Sequence, residues 1–239
     1  MSNDLTDTRV LVIGGSSGIG EATALQAAQA GARVTIASRS PERLAGALAR
    51  LPRGVTSATL DATDADGVAA FFLADGPWGH VIVTASATRT GPARDLPMGD
   101  AQAAMQSKFW SAYHVGRSAR IVSGGSLTFV SGVYSVRPNA TAVLQGAINA
   151  ALEALARGLA LELAPAVRVN AVSPSTTETP LWDRLGGAGK ADKFAAMNAR
   201  LPAGRIAQPG DIAAAILFLA ANSFATGSTL LIDGGDALA

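Results

Sequence analysis

Arg9-Val10-Leu11-Val12-Ile13-Gly14-Gly15-Ser16-Ser17-Gly18-Ile19-Gly20, running on into the alanine-rich stretch Glu21 to Ala30, decides what this chain becomes. A β-branched apolar run, a glycine turn and a helical run follow one another. Such a turn needs glycine where φ is positive or where a Cβ would strike a bound pyrophosphate. The helix behind it offers free N–H groups and the positive end of its dipole. Gly14, Ser16, Ser17, Gly18, Ile19 and Gly20 are therefore candidate contacts of a dinucleotide phosphate.

The same rhythm continues outward. Short apolar runs at Arg33 to Ala37, Ser57 to Leu60, His80 to Thr84, Ser126 to Val130, Arg168 to Val172 and Thr229 to Ile232 alternate with helical stretches. Strands that are apolar at almost every position imply a parallel sheet covered on both faces, and right-handed crossovers make it a doubly wound α/β fold of Rossmann type. Residues 1–239 are expected to form a single domain. The least regular stretch, broken by Pro174, Pro180, Gly186, Gly187 and Gly189, is expected to be a substrate loop or lid over residues 174–202. It follows a late strand, where such sheets bind ligands.

Composition narrows the function classes. A formal net charge of +1 leaves no broad field for nucleic acid or an anionic membrane, and no apolar run reaches membrane-spanning length. With no cysteine there are no disulfides, thiolate metal sites or thiol nucleophiles, and no metal site is expected. Hydrophobic residues reach 49% against 15% charged, leaving apolar surface for subunit contacts. The expectation is a cytoplasmic homo-oligomer acting on a small molecule.

The second strand ends in Ser38-Arg39, where an acid would bond the adenosine ribose of NAD. Ser38 removes the repulsion such an acid exerts on a 2′-phosphate, and Arg39 can fork onto one, so NADP(H) is the expected cofactor.

The Gly-x-x-x-Gly-x-Gly spacing resembles the short-chain dehydrogenase/reductase family, and the likeness spans nearly the whole chain. Leu60-Asp61-Ala62, Arg168-Val169-Asn170-Ala171-Val172-Ser173-Pro174, Gln208-Pro209-Gly210-Asp211 and Ile232-Asp233-Gly234-Gly235 all follow its pattern. The resemblance implies that Asp61 and Ala62 meet the adenine, that Thr84 and Ala85 line the cofactor, and that Pro174, Thr177 and Thr179 bind the nicotinamide end. Two departures stand on the cofactor side. Ile13 replaces a threonine, and Thr84-Ala85-Ser86-Ala87 replaces Asn-Asn-Ala-Gly.

Family chemistry uses a tyrosine acid, a lysine four residues later, a serine thirteen residues before the tyrosine and an asparagine on an earlier helix. Here those positions fall on Gln145, Asn149, Gly132 (with Ser131 one residue early) and Lys108. Lysine and asparagine have exchanged places, and glutamine replaces the acid. Gln145 supplies no proton, although a carboxamide can donate a hydrogen bond to an oxyanion. Lys108 can provide positive charge or, with a lowered pKa, a proton. Lys108, Ser131, Gln145 and Asn149 are the candidate catalytic set. His80 and His114 are expected to be structural, and Trp110 and Tyr113 to be core or subunit contacts.

Two functions fit this pattern. One is an NADPH-dependent reductase of an electrophile needing little acid help, such as an imine or an activated alkene or carbonyl. The other is an NADP(H)-binding sensor or partner protein without turnover.

Overall fold

The structure, a computed structural model, describes residues 5–86, 89–185 and 189–239. Ala87, and Gly186 and Gly187 of the expected lid, lie outside the described residues. In chain order the elements are β1 (Arg9–Ile13), α1 (Gly18–Gln29), β2 (Arg33–Ser38), α2 (Pro41–Leu48), β3 (Thr56–Thr59), α3 (Ala65–Ala74) and β4 (Trp78–Val83). Then come α4 (Met98–Met105), α5 (Ser111–Ser118), β5 (Ile121–Val130), α6 (Val143–Glu162), β6 (Arg168–Pro174), α7 (Leu181–Leu185), α8 (Lys190–Arg200), α9 (Pro209–Ala221) and β7 (Thr229–Ile232).

All seven strands pair in parallel in the order β3-β2-β1-β4-β5-β6-β7. The order reverses between β1 and β4, and the crevice at their carboxyl ends is where doubly wound sheets take ligands. Gly14 and Thr84 stand there.

Strand periodicity builds two cores. Leu11 and Ile13 point to the face holding Phe72, Trp78, Leu127, Phe129 and Leu152, while Val10 and Val12 point to the face holding Ile36, Ile82, Ile212 and Ile216. Fully burying each of these large side chains contributes roughly 1.5–3 kcal/mol. Both faces of the sheet are thus covered by helices, as the apolar strands require.

One strand differs from the sequence reading, and two helical details are added by the structure. β5 begins at Ile121 rather than Ser126, because Gly124 adopts a φ of 84° and lets the strand shift register against β4. α6 begins at Val143, so Gln145 and Asn149 lie one turn apart near its start. Between α4 and α5 the helix passes through a π-helical turn, Gln106–Trp110, closed by the Ser111 backbone N–H on the Gln106 carbonyl, to which the Ser111 hydroxyl also donates at 3.0 Å.

His80 is buried, with Nδ1 2.8 Å from the Ser126 hydroxyl. Burial, aided by the nearby Arg168 charge, lowers its pKa to about 4, so the ring is neutral packing rather than a titrating group at ordinary pH.

Candidate active site

The crevice fits a dinucleotide. Gly14 has a φ of 90°, and a Cβ there would stand 2.6 Å from both the Ala85 nitrogen and the Thr84 Oγ1. Gly18, with a φ of 56°, opens α1, and the Thr179 side chain lies 3.1 Å from where its Cβ would be. Glycine therefore keeps the backbone open at both ends of the turn. The Ser17 side chain caps none of the first N–H groups of α1, which leaves them for an external anion. Ser16 is buried in the loop and Ile19 is the second residue of the helix.

At the far end of the crevice, Arg39 is exposed and forms no ion pair among the described residues, beside a half-buried Ser38. The Asp61 Oδ1 is held by the backbone N–H and hydroxyl of Thr63, at 2.9 and 2.8 Å, which fixes the loop containing buried Ala62. His114 Nδ1 lies 3.2 Å from the Ala62 carbonyl. At the end that the family resemblance assigns to the nicotinamide, Pro174 closes β6 and Thr179 faces the glycine turn, whereas the buried Thr177 hydroxyl donates to the Ser175 carbonyl at 3.0 Å.

The exchanged residues meet in one buried cluster. Lys108, carried inward by the π-helical turn, places Nζ 2.6 Å from the Ser131 carbonyl and 2.7 Å from the Asn149 Oδ1. The Asn149 Nδ2 donates to the Gly132 carbonyl at 3.0 Å, and the Gln145 Nε2 donates to the Asn149 Oδ1 at 3.3 Å. These bonds fix both amides. The Gly132 carbonyl accepts only, so Asn149 must turn Oδ1 towards Lys108 and Gln145, and Gln145 must turn Oε1 away. That Oε1 is buried without a partner.

Gly132 explains the missing serine. A Cβ there would come within 2.8 Å of the Asn149 Nδ2, so the space of the family's serine side chain is taken by the asparagine amide. Ser131 enters the cluster through its carbonyl. Its hydroxyl is spent on the Glu153 Oε1 at 2.8 Å and the Val172 carbonyl at 3.3 Å.

Sequence reasoning missed Glu153, the buried carboxylate that also accepts from Ser135 at 2.7 Å. Its spacing was a signal. Residues 145, 149 and 153 are successive i, i+4 positions and share one face of α6. Burial pushes the Lys108 pKa down and the Glu153 charge pulls it partly back, to about 8. The cluster thus holds an ammonium near its point of proton release at neutral pH. Beside the first turns of α6, an open cleft of about 610 Å³ is walled by Tyr134, Ser135, Pro138, Val143 and Gly146.

A family model described as enoyl-(acyl carrier protein) reductase matches residues 14–236. D-erythrulose reductase from Gallus gallus is 32% identical over 235 residues, covering 95% of this chain and 94% of that protein. An NADPH-bound short-chain oxidoreductase from Pseudomonas aeruginosa PAO1, described as containing an atypical catalytic center, superposes with a TM-score of 0.87 at 31% identity, covering 97% of this chain and 98% of that one. A small-chain dehydrogenase in complex with NADPH gives a TM-score of 0.81 at 32% identity, over 98% of this chain and all of that one. The chain belongs to the short-chain dehydrogenase/reductase family, whose members use nicotinamide dinucleotides.

Restoring the family's serine alone should therefore damage the fold. Gly132→Ser is expected to cost about 1–3 kcal/mol in denaturant unfolding, the usual effect of overpacking. Pairing it with Asn149→Ala should cost at least about 1 kcal/mol less than the two single changes added together, because the smaller side chain vacates the space. Additive costs would contradict this account of the glycine.

Proposed function

We propose that this protein is an NADPH-dependent oxidoreductase that reduces a carbonyl or an activated alkene, with Lys108 in place of the family's tyrosine as the proton-bearing group. One observation carries the reading. The Lys108 ammonium is buried with two N–H groups committed to the Ser131 carbonyl and the Asn149 Oδ1, so one N–H is left for a substrate oxygen. A nicotinamide cofactor, when bound, supplies the hydride. The chain's own residues supply the glycine cradle, the positive charge at Lys108 and the amide frame that holds it.

Electrostatics separates the candidate substrates. An enclosed ammonium favours a reaction in which negative charge develops, such as an alkoxide or an enolate, and opposes an iminium cation. The imine member of the sequence-based expectation is therefore the least favoured. The Gallus gallus relative is named as the reductase of a sugar ketone, and a relative with an atypical catalytic center was crystallised with NADPH. The first supports a reductase, and the second supports an NADPH-binding oxidoreductase whose catalytic center departs from the usual one. Ser38 and Arg39 support NADPH over NADH, since the guanidinium is free to meet a 2′-phosphate. The irregular stretch 174–202 is proposed as the substrate lid, and the assembly as a homodimer or homotetramer.

Calorimetric titration tests the cofactor. NADPH should bind more tightly than NADH, and Arg39→Asp should reverse the order by removing a contact worth roughly 1.5–3 kcal/mol. Equal affinities in the parent protein would overturn the assignment.

The chemical role is tested by following NADPH oxidation against a panel of ketones, aldehydes and enones. Lys108→Met should lower turnover by about ten- to a thousandfold, a loss of roughly 1.4–4 kcal/mol in transition-state stabilisation, with NADPH affinity within about threefold. As a proton donor Lys108 must start charged, so turnover in the parent should fall as pH rises through about 8. A Lys108→Met variant that changes stability alone would favour the binding-protein reading instead.

A further inference from the structure

Outside the cluster, the carboxyl end of the sheet carries an unbalanced set of charges. Asp236, just after β7, has a side chain only 3% exposed. Its Oδ2 takes the Ser175 hydroxyl, and its Oδ1 stands 3.1 Å from the Arg137 Nε and 2.7 Å from the Arg200 Nη1. Two guanidiniums thus share one carboxylate oxygen, leaving a net positive charge. The two nitrogens can lie no further apart than those two contacts placed end to end. Neither aims an N–H squarely at the oxygen, which accepts no aligned hydrogen bond among the described residues. The short Arg200 contact still helps to hold the carboxylate, Arg137 acts on it as a charge, and the other N–H groups of both guanidiniums meet no acceptor among the described residues.

Burial by itself would raise the Asp236 carboxyl. The Ser175 hydroxyl and the two guanidiniums outweigh it and hold the group below the ordinary carboxylate range, so it stays charged at neutral pH. One anion is already fixed there, and among the described residues the two guanidiniums have no second carboxylate to share.

Position gives the surplus a use. Arg137 lies between Ser135 and Pro138, two walls of the open cleft, and Ser135 is bonded to Glu153 beside the Lys108 cluster. Arg200 ends α8, the helix of the proposed lid. Ser175 directly follows Pro174 at the end of β6. All of these elements sit outside the carboxyl ends of the strands, where this kind of sheet binds ligands. A planar carboxylate matches a guanidinium fork, and a carboxylate is the group this pair already holds.

We infer that Arg137 and Arg200 form a second recognition point, which binds a carboxylate on the substrate and makes this an oxidoreductase of an oxo acid or an unsaturated acid. The inference rests on the oxidoreductase reading for what happens to the bound molecule, but the binding site itself does not.

The test compares benzoate with benzamide, which share a shape and differ in charge, by calorimetry on the protein with and without NADPH at low ionic strength. Benzoate should bind at least tenfold more tightly. Arg137→Gln should bring the two within about threefold. Asp236→Asn, which removes the competing carboxylate, should tighten benzoate several-fold, with melting curves confirming that each variant is folded. Benzoate and benzamide binding equally to the parent protein, a comparison that needs no variant, would overturn the site. So would an Asp236→Asn protein that folds and binds benzoate more weakly than the parent. NADPH titration in the same samples reports on the oxidoreductase reading separately, because losing cofactor binding would sink that reading while leaving the benzoate comparison standing.

Discussion

A lysine ammonium shut inside a protein must be given acceptors, and at Lys108 that requirement governs the residues around it. Desolvating such a charge costs several kcal/mol unless hydrogen bonds replace the lost water. Two oxygens do so, the Ser131 carbonyl and the Asn149 Oδ1. The second exists only because asparagine stands where the family has lysine, since two ammonium groups at this spacing would repel. Asparagine fits only because residue 132 has no side chain. Its amide then dictates how Gln145 is turned. Lys108, Asn149, Gly132 and Gln145 form one compensated arrangement in which each makes the next tolerable. The π-helical turn that carries Lys108 belongs to the same arrangement, as such turns often do at functional sites.

The fold was legible because its signals are local and repeated. Glycines at 14, 18 and 20 between an apolar run and a helix, followed by six further apolar runs, admit few arrangements, and β1 and β7 were located to the residue. β5 was read too short because Gly124 breaks the apolar run that periodicity follows. In the site, the family resemblance singled out Lys108, Gln145 and Asn149, and the structure brings these three into contact. The rest of the cluster was not legible, because the roles of Gly132, Glu153 and the Ser131 carbonyl depend on which groups face one another across β5, α6 and the π turn. The Arg137–Asp236–Arg200 set was invisible for the same reason. Its members lie far apart in the chain and meet only when the sheet brings its carboxyl ends together.

On the proposed reading, cofactor and chemistry are divided between the two ends of the crevice. The glycine cradle and the free amino terminus of α1 do not depend on the Lys108 cluster, which is why the scaffold can keep its cofactor half while its reacting half is rebuilt. The rebuilt half is tuned by burial. A tyrosine is neutral until it is persuaded to ionise, whereas a lysine is charged until it is persuaded to release a proton, and desolvation supplies that persuasion at Lys108.

The chain has three lysines, Lys108, Lys190 and Lys193. Nuclear magnetic resonance of protein labelled with 13C at the lysine side chains can therefore follow each one separately, with Lys108→Met identifying its signal. Lys108 should titrate near pH 8, well below the ordinary lysine value of 10.5. A Lys108 signal that titrated at that ordinary value would mean a solvated side chain, and would contradict the buried, proton-donating ammonium on which the whole account stands.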